Sequence, residues 1–327
     1  SGSKWPMAIA LLGAIADGTL PQGLNTTVSS VIPWWTQFGT IQLYQLLSFT
    51  SGLNGDPHEC EHADEFEACT KKLYKYYTTN PTKVDLPGTS WYYSSVHLRV
   101  AGMMVAAASN MKIEAVVKRY FTQGLNFTEG KCHHTCAGSA NPDLAACVCS
   151  TSRTYGAFLQ QLLAKSVATW TDAAWNPNAK SWSAEKTAAL IDASEVDYSG
   201  SLSFDKDSSY FGTYGFGHFL LCRDAYSQHA MFPEECARRQ RHGDPGLYGF
   251  FGILNRRYNY WVVLGAQEDA EGGSGIPEYL IFGAEPYLDV FYAGHANEYS
   301  RGYFQTLTLT EATYMKASMP PTARRVI

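Results

Sequence analysis

The sequence predicts an α+β fold, with helices filling the first two thirds of the chain and strands gathering near residue 250. Three observations carry this. Residues 3–17 open on a helix-like apolar run, Trp5-Pro6-Met7-Ala8-Ile9-Ala10-Leu11-Leu12. Helical patterns recur at 40–48, from Pro57 toward Tyr77, and at 96–109, 113–121, 155–166 and 184–193. The texture then changes: 248–254 and 258–265 read as two strands joined by a tight Asn255-Arg256-Arg257 turn, a hairpin. Helices followed by strands, without a repeating βα pattern, exclude a doubly wound parallel sheet.

Composition narrows the function classes. The chain has 327 residues, 45% hydrophobic and 17% charged, with a net charge of −5. That supports a sizeable core and gives no basic surface to steer toward nucleic acid or anionic lipid. No apolar run reaches the ~20 residues that span a bilayer, and no leader peptide precedes the first helix. A small-molecule or peptide substrate is the expected partner, and no cofactor is called for.

The eight cysteines fall into local groups: Cys60 and Cys69; Cys132, Cys136, Cys147 and Cys149; Cys222 and Cys236. An even count in short-range groups reads as disulfides stapling loops. Expected pairs are Cys222 with Cys236 and the middle four among themselves. Cys60 and Cys69 can pair only if the helix there is broken, since nine residues of straight helix rise ~13.5 Å. Two sequons, at Asn25 and Asn126, fall in expected loops. Together they point to a secreted, disulfide-bonded glycoprotein. His58-Glu59-Cys60-Glu61-His62 matches H-E-x-x-H, and Cys132-His133-His134 with Cys136, Cys147 and Cys149 could form a zinc knuckle. A half-cystine inside the first and an oxidising compartment for the second argue against both, so no metal is expected.

The chemistry-bearing signal is Ser1-Gly2-Ser3-Lys4 at the head of the first helix. A serine three residues before a lysine shares its helix face, so the lysine can take the serine's proton and make it a nucleophile. Alone the pattern is weak. Two companions follow in order: Tyr93-Ser94-Ser95, then Arg241-His242-Gly243. With Ile41-Gln42-Leu43-Tyr44-Gln45-Leu46-Leu47-Ser48-Phe49-Thr50-Ser51-Gly52-Leu53, Pro87-Gly88 and Tyr214-Gly215-Phe216-Gly217, this resembles the serine β-lactamase and penicillin-binding-protein family. The likeness is to its class C-like branch, with its esterases and D-aminopeptidases.

The resemblance implies a β-lactamase-like fold in which an antiparallel sheet, flanked by helices, backs a helical subdomain, with the site between them. It covers residues 1–265, the helical subdomain being about 20–200, and leaves 266–327 as a C-terminal extension. It implies Ser1 as nucleophile, Lys4 and Tyr93 as proton-handling groups, and Ser95 where the family has asparagine. Arg241-His242-Gly243 stands for the family's K-T-G strand, whose next residue donates a backbone N–H to the oxyanion hole. With Arg241 first, that donor is Asp244, joined by the N–H of Ser1. With His242 first it is Pro245, which has no N–H. The first register is preferred, with Arg241 holding a substrate carboxylate. Phe49 replaces the usual histidine, and His242 removes a small hydroxyl.

Family members carry a leading segment with the first sheet strands before the nucleophile, and that segment is absent from this chain. Without it the sheet exposes unpaired edges. Three readings stand: a cleaved N-terminal piece bound as a second chain, an extension that fills the gap, or a linker scar at Ser1–Lys4. An N-terminal Ser1 would also bring an α-amine with a pKa near 8 to the site. Two functions follow, a secreted serine hydrolase working through an acyl-enzyme and a catalytically retired glycoprotein with a structural or binding role.

Overall fold

The computed structural model describes residues 2–55, 57, 65–128, 136, 139–199, 212–221, 240–246 and 250–265. Helices α1 (Lys4–Ala16), α2 (Val28–Val31), α3 (Leu43–Leu47), α4 (Phe66–Thr79), α5 (Val96–Ser109), α6 (Ile113–Val116), α7 (Ser152–Leu163), α8 (Ala168–Thr171) and α9 (Ala184–Ser194) precede five strands. These are β1 (Gly212–Tyr214), β2 (Phe219–Leu221), β3 (Arg241–Gly246), β4 (Phe250–Asn255) and β5 (Tyr260–Gly265). They form one antiparallel sheet in the order β1-β2-β3-β4-β5, so each strand pairs with its sequence neighbour.

Helix α1 is apolar all round and nearly every residue is buried, as expected of a helix running through a core. Trp5 packs edge-on against Phe158 at 5.9 Å. The helix stops at Asp17, whose carboxylate accepts from Arg119 (2.7 Å), the Tyr120 hydroxyl (3.0 Å) and the Thr19 N–H (3.0 Å). Gly18 then turns the chain with φ +81, and a Cβ there would collide with the Asn178 side chain. The C-terminal exit of α1 is thus pinned by side-chain contacts.

Helix α7 lies against β4 and β5 through close glycine contacts. A Cβ at Gly252 would come within 2.5 Å of Tyr155 Cε1, and one at Gly156 would strike the Trp261 ring. The Trp261 indole N–H then reaches Gln160 Oε1 at 2.9 Å.

Several expected bounds shift for local reasons. Helix α3 is shorter than 40–48 because Thr27 and Gln42 pair as a bridge, with Leu43 N–H bonding Thr26 O at 3.0 Å. Helix α7 starts early at Ser152 because Thr151 caps it, accepting the Thr154 N–H at 3.2 Å. The stretch after α6 continues as a π-helix, Val117–Gln123. The β4–β5 connection is 256–259, a four-residue loop and not a three-residue turn, with Asn259 at φ +56.

Cys136 and Cys147 form a disulfide, in line with internal pairing of the middle group. Cys69 and Cys149 are also disulfide-bonded. Cys60, Cys132, Cys222 and Cys236, residues 58–62 and the 266–327 extension lie outside the described residues. Among the described residues, no single helix is long and apolar enough to cross a membrane.

Candidate active site

The site is built where the N-terminus of α1 meets the segment before α5. Ser1 lies outside the described residues. Ser3 is the N-cap of α1, and its Oγ accepts the Val148 N–H at 2.9 Å. Lys4 is only 5% exposed; its Nζ donates to Ala145 O at 3.3 Å and sits 4.7 Å from the centroid of the Tyr93 ring. Two residues 89 positions apart are thus brought together, Lys4 buried and Tyr93 half-buried.

Tyr93 is caged by aromatic rings: Phe219 stacked at 5.8 Å, Phe49 at 5.7 Å, Trp91 at 6.1 Å and Tyr214 at 6.2 Å. Its backbone neighbours are tied down by His97, a residue that the sequence did not single out. His97 Nε2 faces Tyr92 O at 2.8 Å and must donate, so in the neutral ring Nδ1 accepts the Ser51 hydroxyl at 3.0 Å. Phe49, standing where histidine was expected, stacks on the His97 ring at 4.7 Å. Ser95 is half-buried at the N-cap of α5, two residues from Tyr93.

Burial alone would lower the Lys4 pKa. The charges of Tyr93, Asp244 and Asp143 and a hydrogen bond to Tyr93 outweigh it, so the pKa is raised. These groups favour the ammonium form of Lys4. Tyr93, beneath that cation, is the better placed acceptor.

The K-T-G-like strand departs further from expectation. The Arg256 N–H donates to Gln240 O at 3.0 Å, which sets the phase of the β3–β4 ladder. Even-numbered residues of β3 exchange bonds with β4, and odd-numbered ones face β2. The Asp244 N–H is thus turned into the ladder opposite Gly252, away from any oxyanion. The residue left on the outer edge, past the end of β2, is Pro245, which cannot donate. Asp244 as oxyanion donor is corrected on this ground.

Pleat alternation puts the side chains of His242 and Asp244 toward α1 and those of Arg241 and Gly243 on the opposite face. Arg241 is 2% exposed and three residues, roughly 10 Å, down the strand from Asp244, so it does not join Lys4 and Tyr93. Gly243 is required by packing, since a Cβ would lie 2.9 Å from Gly252 O and 3.0 Å from Leu221 Cδ1. His242 enters a buried chain that the sequence concealed. Its Nδ1 pairs with His218 Nε2 at 3.1 Å, while His218 Nδ1 donates to Phe216 O at 3.0 Å and its ring stacks on Trp5 at 4.4 Å. Burial, and next the charge of Arg256, push the His242 pKa down to about 3. Burial, and next His242, do the same to His218, so both rings are neutral. Glu195, 3.7 Å from His242 Nε2, pairs instead with the Arg256 guanidinium.

Asp244, fully buried, accepts the Trp5 N–H at 3.2 Å through Oδ2 and also bonds the Lys4 N–H, so it caps the positive end of α1. Its Oδ1 has no hydrogen-bond partner among the described residues. Burial raises the Asp244 pKa to about 7, even though Lys4 opposes the rise.

The sequon asparagines Asn25 and Asn126 are both exposed, Asn126 with φ +51. Among the described residues no group of acidic, histidine or cysteine side chains is arranged to hold a metal ion.

Solved structures share this architecture. A beta-lactamase from Mycobacterium bovis aligns at 18% identity and a TM-score of 0.51, over 86% of this chain and 84% of its own. EstCE1, a hydrolase with promiscuous acyltransferase activity, aligns at 16% identity and 0.58, over 86% and 82%. Simvastatin Synthase (LovD) from Aspergillus terreus aligns at 13% and 0.54, over 90% and 83%. At such identities the likeness establishes the fold. No curated protein sequence matches the chain. The Beta-lactamase family matches residues 1–231, well over half the sequence. On that match, the chain belongs to the Beta-lactamase family, the β-lactamase-like serine hydrolases.

Proposed function

We propose that the protein hydrolyses an ester, an amide or a D-amino-acid peptide through an acyl-enzyme on Ser1. The observation that carries this is the contact of buried Lys4 with Tyr93 at the head of α1. In this reading Ser1 Oγ attacks the substrate carbonyl while its proton passes to the Tyr93 oxygen, whose anionic form the Lys4 ammonium favours. The leaving alkoxide or amine departs with that proton. Water then attacks the acyl-serine, releasing the acid and restoring Ser1. Ser95, two residues from Tyr93, has no amide to offer substrate. A secreted glycoprotein, modified at Asn25 and Asn126, is supported by the exposure of both asparagines and by the Cys136–Cys147 bridge.

A fluorophosphonate probe is expected to label Ser1, and Ser1→Ala or Lys4→Ala to abolish labelling. A catalytically retired glycoprotein is the second reading, and Pro245 favours it. Loss of one oxyanion donor costs about 10²–10³ in rate. Wild-type protein that stays unlabelled, while folded, would establish the second reading over the first.

A further inference from the structure

Lys4 owes its position to a segment that the sequence marked only as a loop with cysteines. Residues 141–149 run past the head of α1 and touch it twice, at Ala145 O to Lys4 Nζ (3.3 Å) and Val148 N–H to Ser3 Oγ (2.9 Å). The segment is shaped from within by Asp143. Its Oδ1 accepts the Ala145 N–H at 3.0 Å, and its carbonyl accepts the Ala146 N–H at 2.9 Å. It is tied to its surroundings at several points, Cys149 at its end being disulfide-bonded as well. Arg99 of α5 donates to Asn141 Oδ1 at 2.5 Å. Leu144 is buried, its Cδ1 occupying the space that Gly102 of α5 leaves by having no Cβ. Cys147, buried between the two contacts to α1, is bonded to the buried Cys136.

We propose that segment 141–149, braced by the Cys136–Cys147 disulfide, is a positioning wall of the active site. Its Ala145 carbonyl fixes the Lys4 ammonium against Tyr93, and its Val148 amide fixes Ser3. The inference deepens the acyl-enzyme reading and rests on it for its catalytic meaning. Its geometric content stands apart. Lys4 is crowded by Tyr93 from the segment before α5, by Asp244 from β3 and by Asp143 from the wall, and only the last two are carboxylates. Taking away the wall removes a carbonyl partner, one of the two carboxylates and the cover over the amine.

The test reads Lys4 directly. Acetylation by a water-soluble N-hydroxysuccinimide ester attacks only unprotonated, accessible amines, and peptide mass spectrometry reports each lysine separately. In native protein Lys4 is expected to be strongly protected while exposed Lys71 and Lys75 react. In Cys136→Ser/Cys147→Ser, Lys4 acetylation is expected to rise at least tenfold with the other lysines unchanged. Asp143→Asn, an exposed position that leaves the disulfide intact, is expected to move the midpoint of the Lys4 acetylation–pH curve downward. It serves should the double variant fail to fold. In both, probe labelling of Ser1 is expected to slow and its pH profile to shift. Lys4 equally protected, with an unshifted curve, in folded variants overturns the wall. Absence of probe labelling in wild type overturns the acyl-enzyme reading, while the acetylation result still decides the wall.

Discussion

Replacing Asp244 with asparagine isolates one buried charge. Asparagine keeps an oxygen to accept the Trp5 N–H but cannot ionise. In the folded protein the Asp244 carboxyl titrates at about 7 against an ordinary 3.8. It faces Lys4 from α1, Tyr155 from α7 and Tyr214 from β1. A raised carboxyl pKa leaves stability intact below about pH 4, where both states hold the proton. Stability is then lost as pH climbs toward 7, because the unfolded chain releases the proton first. At about 1.36 kcal/mol per pH unit, the rise from 3.8 to about 7 amounts to about 4 kcal/mol by pH 8. His218 and His242, whose pKa values are lowered, act oppositely, adding stability above pH 6.5 that is lost as pH falls toward 3. They are present in both proteins and cancel in the difference. Urea unfolding of wild type and Asp244→Asn at pH 4.5, 6 and 8 gives that difference. About 1 kcal/mol of that loss has already occurred at pH 4.5, so the variant is expected to gain on wild type by about 3 kcal/mol between the ends of the range. A difference that stays constant with pH would refute the buried, proton-linked carboxyl.

Pro245→Ala restores an N–H on the open edge of β3, so Ser1 labelling is expected to accelerate by one to two orders of magnitude in stopped-time assays. An unchanged rate would mean that this edge does not border the reacting carbonyl. Gly102→Ala drives a methyl into Leu144 and is expected to cost about 1–3 kcal/mol in chemical denaturation, with faster amide exchange across 141–149. Unaltered exchange would show that Leu144 does not seat the wall. Trp5→Ala removes a fully buried ring from the stack on His218, and a loss of about 3–5 kcal/mol is expected; a loss below 1 kcal/mol would contradict the packing described. Glycosidase treatment of secreted protein is expected to shift the mass of the peptides carrying Asn25 and Asn126, and unshifted masses would remove the glycoprotein proposal.

Much of the fold was legible because its signals are local. The apolar run after Lys4 could only be a buried helix, and α5 begins and ends where its spacing placed it. The β4–β5 hairpin followed from two strand-like runs on either side of the polar Asn255-Arg256-Arg257 turn. Strands β1 and β2 escaped notice, since three-residue strands carry too little pattern to distinguish from loop. The pairing of Lys4 with Tyr93 was anticipated from motif order, and contact between them needed no more than the family's fold.

The amino-acid order by itself determined the fold class, the family, the head of α1 and the two motif residues, Lys4 and Tyr93, that meet there. Each is written in neighbouring residues or in ordered motifs. Only the tertiary structure decided how those groups behave. Which β3 amides face outward depends on the phase of a ladder, and one residue of phase exchanged Asp244 for Pro245. Whether Lys4 is base or ammonium depends on charges drawn from three distant segments, and whether His242 faces substrate or core depends on the pleat. Such properties arise from what each residue meets across the fold, and residues 240 positions apart carry no record of their meeting in the sequence between them.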